Sequence, residues 1–118
     1  FRGGASAIHR LFEDGEEVTA VICFNDIVAM GVEAALAERG IRVGRDFAVV
    51  GWDNIAEAGV ASPALTTVAT DPRQIGEETA RLLIRRISDP SGGPERVILP
   101  PRLIVRDSCG ARGVENAA

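Results

Sequence analysis

Three aspartates follow apolar stretches of the chain, and their type and spacing could support chemistry. Asp26 comes after the apolar run at residues 20–24, and Asp53 comes after the run at 47–52. Asp71 follows a third, shorter run. Carboxylates at the ends of neighbouring strands can hold Mg²⁺, as they do in phosphatases. The same side chains can hydrogen-bond the vicinal hydroxyls of a polyol, so a catalytic and a binding interpretation are both open.

The rest of the composition favours binding over catalysis. All 13 basic residues are arginine, which excludes Schiff-base and P-loop lysine chemistry. The one histidine, His9, has no serine or cysteine partner near it in sequence, and no Cys/His cluster or glycine-rich nucleotide loop is present. Asp26 and Asp71 can also be explained as helix N-caps. We therefore expect no metal site, no cofactor and no enzymatic activity.

The elements that position these residues follow from the pattern of apolar residues. We predict helices at 5–13, 26–39 and 72–88, strands at 19–24, 46–52, 65–69, 96–99 and 103–105, and a loop or a single helical turn at 55–62. The stretch from 19 to 52 has the length of a βαβ unit, whose strands run parallel. The expected fold class is α/β, with a mainly parallel sheet flanked by helices.

Asn25 and Asp53 leave two of these strands at the same edge of the predicted sheet. Ligands of open α/β sheets bind at this carboxyl edge. Strand alternation places Trp52 on the face opposite to Asp53, so we expect Trp52 to pack in the core. The alternative is that its ring covers the apolar face of a sugar ligand.

Composition also constrains partners and compartment. The chain has 118 residues, 46% of them apolar, and a net charge of −4, which argues against direct nucleic-acid binding by this segment. Cys23 and Cys109 lie far apart in sequence, so a reducing compartment without a structural disulfide is expected. No apolar run approaches the ~18 residues of a membrane helix. The start at Phe1, without methionine, leads us to expect a segment of a longer protein.

The motifs of this chain resemble those of lactose-repressor-type (LacI/GalR) transcriptional regulators, in order and at the family's spacing. The matching motifs are FND at 24–26, AMG at 29–31, RGIRVGRD at 39–46, VVGWDN at 49–54, PALTTV at 63–68, Gly76, and LIVRDS at 103–108. The resemblance implies a periplasmic-binding-protein-like (type I) effector domain of two α/β lobes. It covers residues 1–110 and identifies them as the C-terminal part of that domain.

The resemblance also implies how the chain is divided between lobes. Residues 1–69 belong to the second lobe, residues 70–90 form a hinge and a helix that packs on the absent first lobe, and 91–110 return to the second lobe. We expect residues 111–118 to be a disordered tail. Operator DNA is bound in this family by a helix-turn-helix domain that lies outside this chain.

Four residues match positions that contact the effector in the family: Asp53, Asn25, Thr70 and Pro72. Pro72 stands where relatives often have an aromatic residue. The effector implied is a small molecule, either a sugar or a nucleoside-like compound.

Four further residues match the family's homodimer interface. They are Met30 and Ala34 on the 26–39 helix, and Ala58 and Ala61 in the following small-residue loop. An interface there would explain why that helix is apolar on more than one face.

The principal hypothesis is a cytoplasmic, effector-sensing part of a regulator. Two alternatives remain open at the level of sequence. One is an extracytoplasmic sugar-binding protein of a transporter, which shares the fold. The other is a small metal-dependent phosphatase-like enzyme that uses Asp26 and Asp53.

Overall fold

Helices and strands alternate along residues 1–111, the part of the chain that the computed structural model describes. They are α1 (Arg2–Glu13), β1 (Ala20–Ile22), α2 (Asp26–Glu38), β2 (Ala48–Trp52), α3 (Ala56–Val60), β3 (Thr66–Ala69), α4 (Pro72–Ser88) and β4 (Arg102–Ile104). The chain divides into a first unit, Phe1–Ala69 with the chain from Arg102 onward, and a second unit, Thr70–Pro101. The predicted α/β class is confirmed.

The first unit contains a sheet with the strand order β1-β2-β3-β4. β1 pairs with β2 and β2 with β3 in parallel, whereas β4 pairs antiparallel with β3. The predicted βαβ unit is confirmed, because α2 connects the parallel strands β1 and β2.

The core of the first unit lies where α1 and α2 cover the sheet. Its fully buried side chains include Leu36 of α2, Val49 of β2 and Leu65. α1 and α2 approach closely because each has a glycine at the contact. A Cβ on Gly4 would collide with the carbonyl of Val28, and one on Gly31 with the carbonyl of Phe1.

The helix ends follow the capping signals of the sequence. Asn25, rather than Asp26, is the N-cap of α2, and its side chain accepts a hydrogen bond of 2.9 Å from the amide of Val28. After α2, Gly40 has a φ of +72°, the left-handed conformation typical of a helix C-terminus. Asp71 caps α4 and Pro72 is its first residue, as predicted.

Ser108, in the segment after β4, forms hydrogen bonds with both central strands, β2 and β3. Its side chain is fully buried. Its Oγ accepts a hydrogen bond of 2.8 Å from the amide of Thr66 and donates one of 2.6 Å to the carbonyl of Val49. The tail predicted at 111–118 falls, apart from Ala111, on residues 112–118, which lie outside the described residues.

The second unit consists of α4 and the segment that follows it. The charged side of α4 carries ion pairs between Arg73 and Glu77 at 2.9 Å and between Arg81 and Glu78 at 3.0 Å. The strand predicted at 96–99 is wrong: residues 93–101 have no assigned strand. Their apolar residues are typical of a strand, but a strand also needs a neighbouring strand that pairs with its backbone hydrogen-bonding groups.

No helix within the described residues has the length and apolar content needed to cross a membrane.

Candidate functional site

The carboxyl ends of β1 and β2 form an open hollow at one edge of the sheet. Cys23, Phe24, Trp52 and Asp53 line this hollow, which has a volume of about 460 Å³. Asn25 follows β1 and Asp53 follows β2, and these strands are parallel neighbours, so both residues lie at the same edge of the sheet. Asn25 caps α2 and is not among the residues that line the hollow.

Asp53 and Asn54 form a turn with unusual backbone geometry. Their φ angles are +107° and +55°, in the region that favours glycine. A non-glycine residue held there costs on the order of 1–3 kcal/mol, so the surroundings must stabilise it. The amide of Asp53 donates to the carbonyl of Val68 at 3.0 Å, and that of Asn54 to Oγ1 of Thr67 at 3.3 Å.

The side chain of Asp26 stabilises this turn by hydrogen bonds from the interior of the protein. It is fully buried, and its Oδ1 accepts a hydrogen bond of 2.6 Å from Oγ1 of Thr67. Its Oδ2 accepts one of 2.9 Å from the amide of Ile55. Gly51 leaves room for this carboxylate, because a Cβ there would collide with Oδ1. Both oxygens of Asp26 are thus engaged in the fold, which argues against the Asp26–Asp53 phosphatase hypothesis.

Trp52 does not pack in the core as strand alternation predicted. Its side chain is 39% exposed and lines the same hollow as Asp53. Trp52 still alternates along β2, because it shares a face with the half-buried Ala48 and Val50, opposite the buried Val49 and Gly51. That less covered face leaves its ring exposed at the end of the strand. The neighbouring Phe24, which the sequence did not single out, is 88% exposed. An acid and two exposed aromatic rings are therefore available at one edge.

The other predicted effector residues differ in their surroundings. Asn25 is half-buried, and its Oδ1 is engaged in capping α2, so its Nδ2 is the group free for another contact. Thr70 and Pro72 belong to the second unit. Thr70 is half-buried just before α4, and Pro72 is exposed at the first position of that helix.

The predicted dimer residues lie at different depths. Met30 and Ala34 on α2 and Ala61 after α3 are half-buried. Ala58 is fully buried in the core of its own chain, because residues 56–60 form a helical turn that directs it inward. Ala58 therefore has no surface to offer a partner in this structure.

Glu33 is a buried acid in the middle of α2, between apolar and small residues. It is 9% exposed, and among the described residues its Oε1 is a buried oxygen without a hydrogen-bond partner. Burial raises the pKa of Glu33 to about 7, and the charge of Asp26 adds to the rise. Burial likewise raises the pKa of Cys23 to about 11, with a further contribution from Glu33. In the sequence, the only sign of the buried Glu33 is a charged residue among the apolar residues of a predicted helix.

Arg106 reaches the turn from the C-terminal segment. Its guanidinium donates hydrogen bonds of 2.7 Å to Oδ1 of Asn54 and of 2.7 Å to the carbonyl of Leu65. Arg106 belongs to the LIVRDS motif, but its role at the turn was not predicted, because 52 residues separate it from Asn54 along the chain.

Within residues 1–111, there is no group of three or more His, Cys, Asp or Glu side chains that could hold a metal ion. Cys23 and Cys109 are both free thiols.

The chain is similar to a known family of domains and to transcriptional repressors. Residues 2–109 match the model of the periplasmic binding protein-like domain family. The HTH-type transcriptional repressor PurR of Mannheimia succiniciproducens is 37% identical over 105 residues, which cover 89% of this chain and 31% of the relative.

Solved structures show the same similarity. A complex of the transcriptional regulator CelR with cellobiose superposes with a TM-score of 0.82 at 35% identity, over 89% of this chain and 32% of that one. A LacI family transcriptional regulator from Enterococcus faecalis with bound ribose has a TM-score of 0.80 at 36% identity, over 91% and 39%. The chain thus spans about a third of the length of these relatives. The chain belongs to the periplasmic binding protein-like domain family, in the form carried by LacI-family transcriptional regulators.

Proposed function

We propose that this chain is the C-terminal part, mainly the second lobe, of the effector-sensing domain of a LacI-type transcriptional regulator. In this proposal the whole protein binds operator DNA through a helix-turn-helix domain outside this chain. The net charge of −4 is in keeping with DNA contact by another domain.

The observation that carries the proposal is the hollow that contains Asp53. A carboxylate can accept two hydrogen bonds from vicinal hydroxyls, and the rings of Trp52 and Phe24 can cover the apolar face of a sugar. Two of the similar regulators were solved with cellobiose and with ribose. A sugar is therefore the first candidate effector, and a nucleoside-like compound is the second.

The second unit supplies the proposed hinge and a contact with the first lobe. The apolar stripe of α4 is exposed, and it consists of Ile75, Leu83, Ile84 and Ile87. Such a stripe is typical of a helix that packs on another element. Because the relatives are about three times longer than this chain, their remaining length can provide the first lobe. Thr70 and Pro72 then lie at the hinge that lines the cleft.

The proposed switch needs a second copy of the protein. Met30, Ala34 and Ala61 are the predicted interface residues that retain surface in this structure. Effector binding would close the two lobes and shift the dimer between a DNA-binding and a non-binding arrangement.

We propose binding without catalysis, in the cytoplasm, where operator DNA is located. The matched relatives are named as transcriptional regulators, which supports this assignment over an extracytoplasmic sugar-binding protein of a transporter.

Titration calorimetry of the full-length protein with ribose, cellobiose, lactose and a set of nucleosides tests the proposal. We expect at least one of these compounds to bind. Asp53→Asn should weaken that binding about 10- to 100-fold, because a charge-assisted hydrogen bond is lost. Asp14→Asn, the same change at an exposed residue at the end of α1, should leave the affinity unchanged. Equal affinity of the Asp53→Asn variant and the unaltered protein would contradict the role of Asp53.

A further inference from the structure

The backbone conformation of Asp53 in this turn, at a φ of +107°, is not one that an aspartate favours by itself. Asp53 and Asn54 both have positive φ angles, and neither is a glycine. Such conformations persist only where the surrounding structure imposes them. The direction of the Asp53 carboxylate therefore depends on the groups that bind this turn.

The backbone of the turn is bound from the sheet and from α2. The amide of Asn54 donates a hydrogen bond of 3.3 Å to Oγ1 of Thr67. The amide of Ile55 donates one of 2.9 Å to Oδ2 of Asp26. These bonds hold the main chain, but they leave the side chain of Asn54 unbound.

Arg106 supplies the missing contact. One nitrogen of its guanidinium donates to Oδ1 of Asn54 and another donates to the carbonyl of Leu65, both at 2.7 Å. Its own amide donates to Oγ1 of Thr66 at 2.9 Å, which holds the base of the side chain. The planar guanidinium thus spans from the residue before β3 to the side chain next to Asp53.

We infer that Arg106 is a positioning residue for Asp53. It fixes the Asn54 side chain, and through it the left-handed turn, so that the Asp53 carboxylate faces the hollow without Arg106 contacting the effector. The inference rests on the proposed role of Asp53 in effector binding. Through Arg106, the C-terminal segment would contribute to the geometry of the site although it lies far from the hollow in sequence.

Hydrogen–deuterium exchange of the full-length protein tests the positioning role without any ligand. In Arg106→Gln we expect exchange in peptides covering residues 53–57 to accelerate about tenfold or more. Peptides from α2 should exchange as in the unaltered protein. Arg102→Gln is the matched control, since it removes the same charge from an exposed residue of the same segment. Arg106→Lys keeps the charge but can reach only one of the two acceptors, so an intermediate acceleration is expected; it also serves if the glutamine variant does not fold.

Calorimetry with ribose, cellobiose and lactose provides the second measurement. Arg106→Gln should weaken binding at least tenfold, and Arg102→Gln should leave it unchanged. Unchanged exchange at 53–57, or equal acceleration in the α2 peptides, would overturn the inference. If the unaltered protein binds none of these compounds or the nucleosides, the proposed function fails, and the exchange result alone decides whether Arg106 positions the turn.

Discussion

Oγ1 of Thr67 donates a hydrogen bond of 2.6 Å to Oδ1 of the fully buried Asp26, across 41 residues of sequence. This bond connects β3 to the first turn of α2. The same Oγ1 accepts the amide of Asn54, so Thr67 lies between the buried acid and the turn that carries Asp53.

Thr67→Val keeps the shape of the side chain and removes both of these bonds. We expect the free energy of unfolding to fall by about 1–3 kcal/mol, because a buried carboxylate loses a donor. Urea titration followed by circular dichroism measures the change. Thr19→Val, at an exposed position, should alter stability by less than about 0.5 kcal/mol. An equal effect of both substitutions would show that the Asp26–Thr67 bond contributes little.

The buried Glu33 predicts an unusual dependence of stability on pH. Its pKa is raised from 4.5 to about 7 in the folded protein, so the folded state binds more protons than the unfolded state between these values. The contribution of Glu33 to the free energy of unfolding should therefore be largest below about pH 4.5, and it should fall as the pH rises to about 7. The Glu33 contribution to this loss is up to about 3 kcal/mol.

Glu33→Gln should flatten this part of the profile, which urea titrations between pH 5 and 8 would measure. Glu13→Gln, at an exposed position, is the control and should leave the slope in place. A Glu33→Gln profile with the same slope as that of the unaltered protein would contradict the assignment of the proton to Glu33.

Trp52 should report directly on the hollow, since it is the single tryptophan of this chain. Its ring is partly exposed beside Asp53, so a bound sugar would shield it and shift its fluorescence to shorter wavelength. Trp52→Ala should weaken binding about 2- to 10-fold, the range expected for an aromatic contact. Trp52→Phe in the full-length protein keeps a ring and should retain most of the affinity, while it removes the part of the signal that comes from Trp52. A spectrum that does not change on saturation would place the ligand elsewhere.

The proposed dimer predicts a specific sensitivity at Met30. Met30→Asp places a charge at a half-buried side chain that packs against the core on one side and is proposed to make an apolar contact with the partner on the other. Light scattering of the full-length protein should show a dimer that becomes monomeric in this variant. Ala7→Asp, an exposed change on α1, should remain dimeric. A Met30→Asp protein that stays dimeric would exclude this interface.

Most of the fold could be predicted from local patterns. Apolar runs indicated β1, β2 and β3, and capping residues marked the starts of α2 and α4. These features depend on neighbours within a few residues, so they can be read along the chain. The strand at 96–99 was wrong because a strand also requires a partner, which no local pattern supplies.

The site was only partly predictable. The positions of Asn25 and Asp53 follow from two parallel strands that end at one edge. The exposure of Trp52 did not follow from alternation, because alternation separates the two faces of β2 but does not show which face the core covers.

The α/β class, the helix caps, the sheet edge that carries Asp53 and, through the motifs, the family could all be inferred from the amino-acid sequence. The burial of Asp26 and Ala58 and the position of Trp52 at the hollow became clear from the packing of the elements. The same packing places Arg106 beside Asn54, although 52 residues separate them. Periodicity and capping depend on adjacent residues, whereas burial and hydrogen bonding between distant segments depend on how the elements pack.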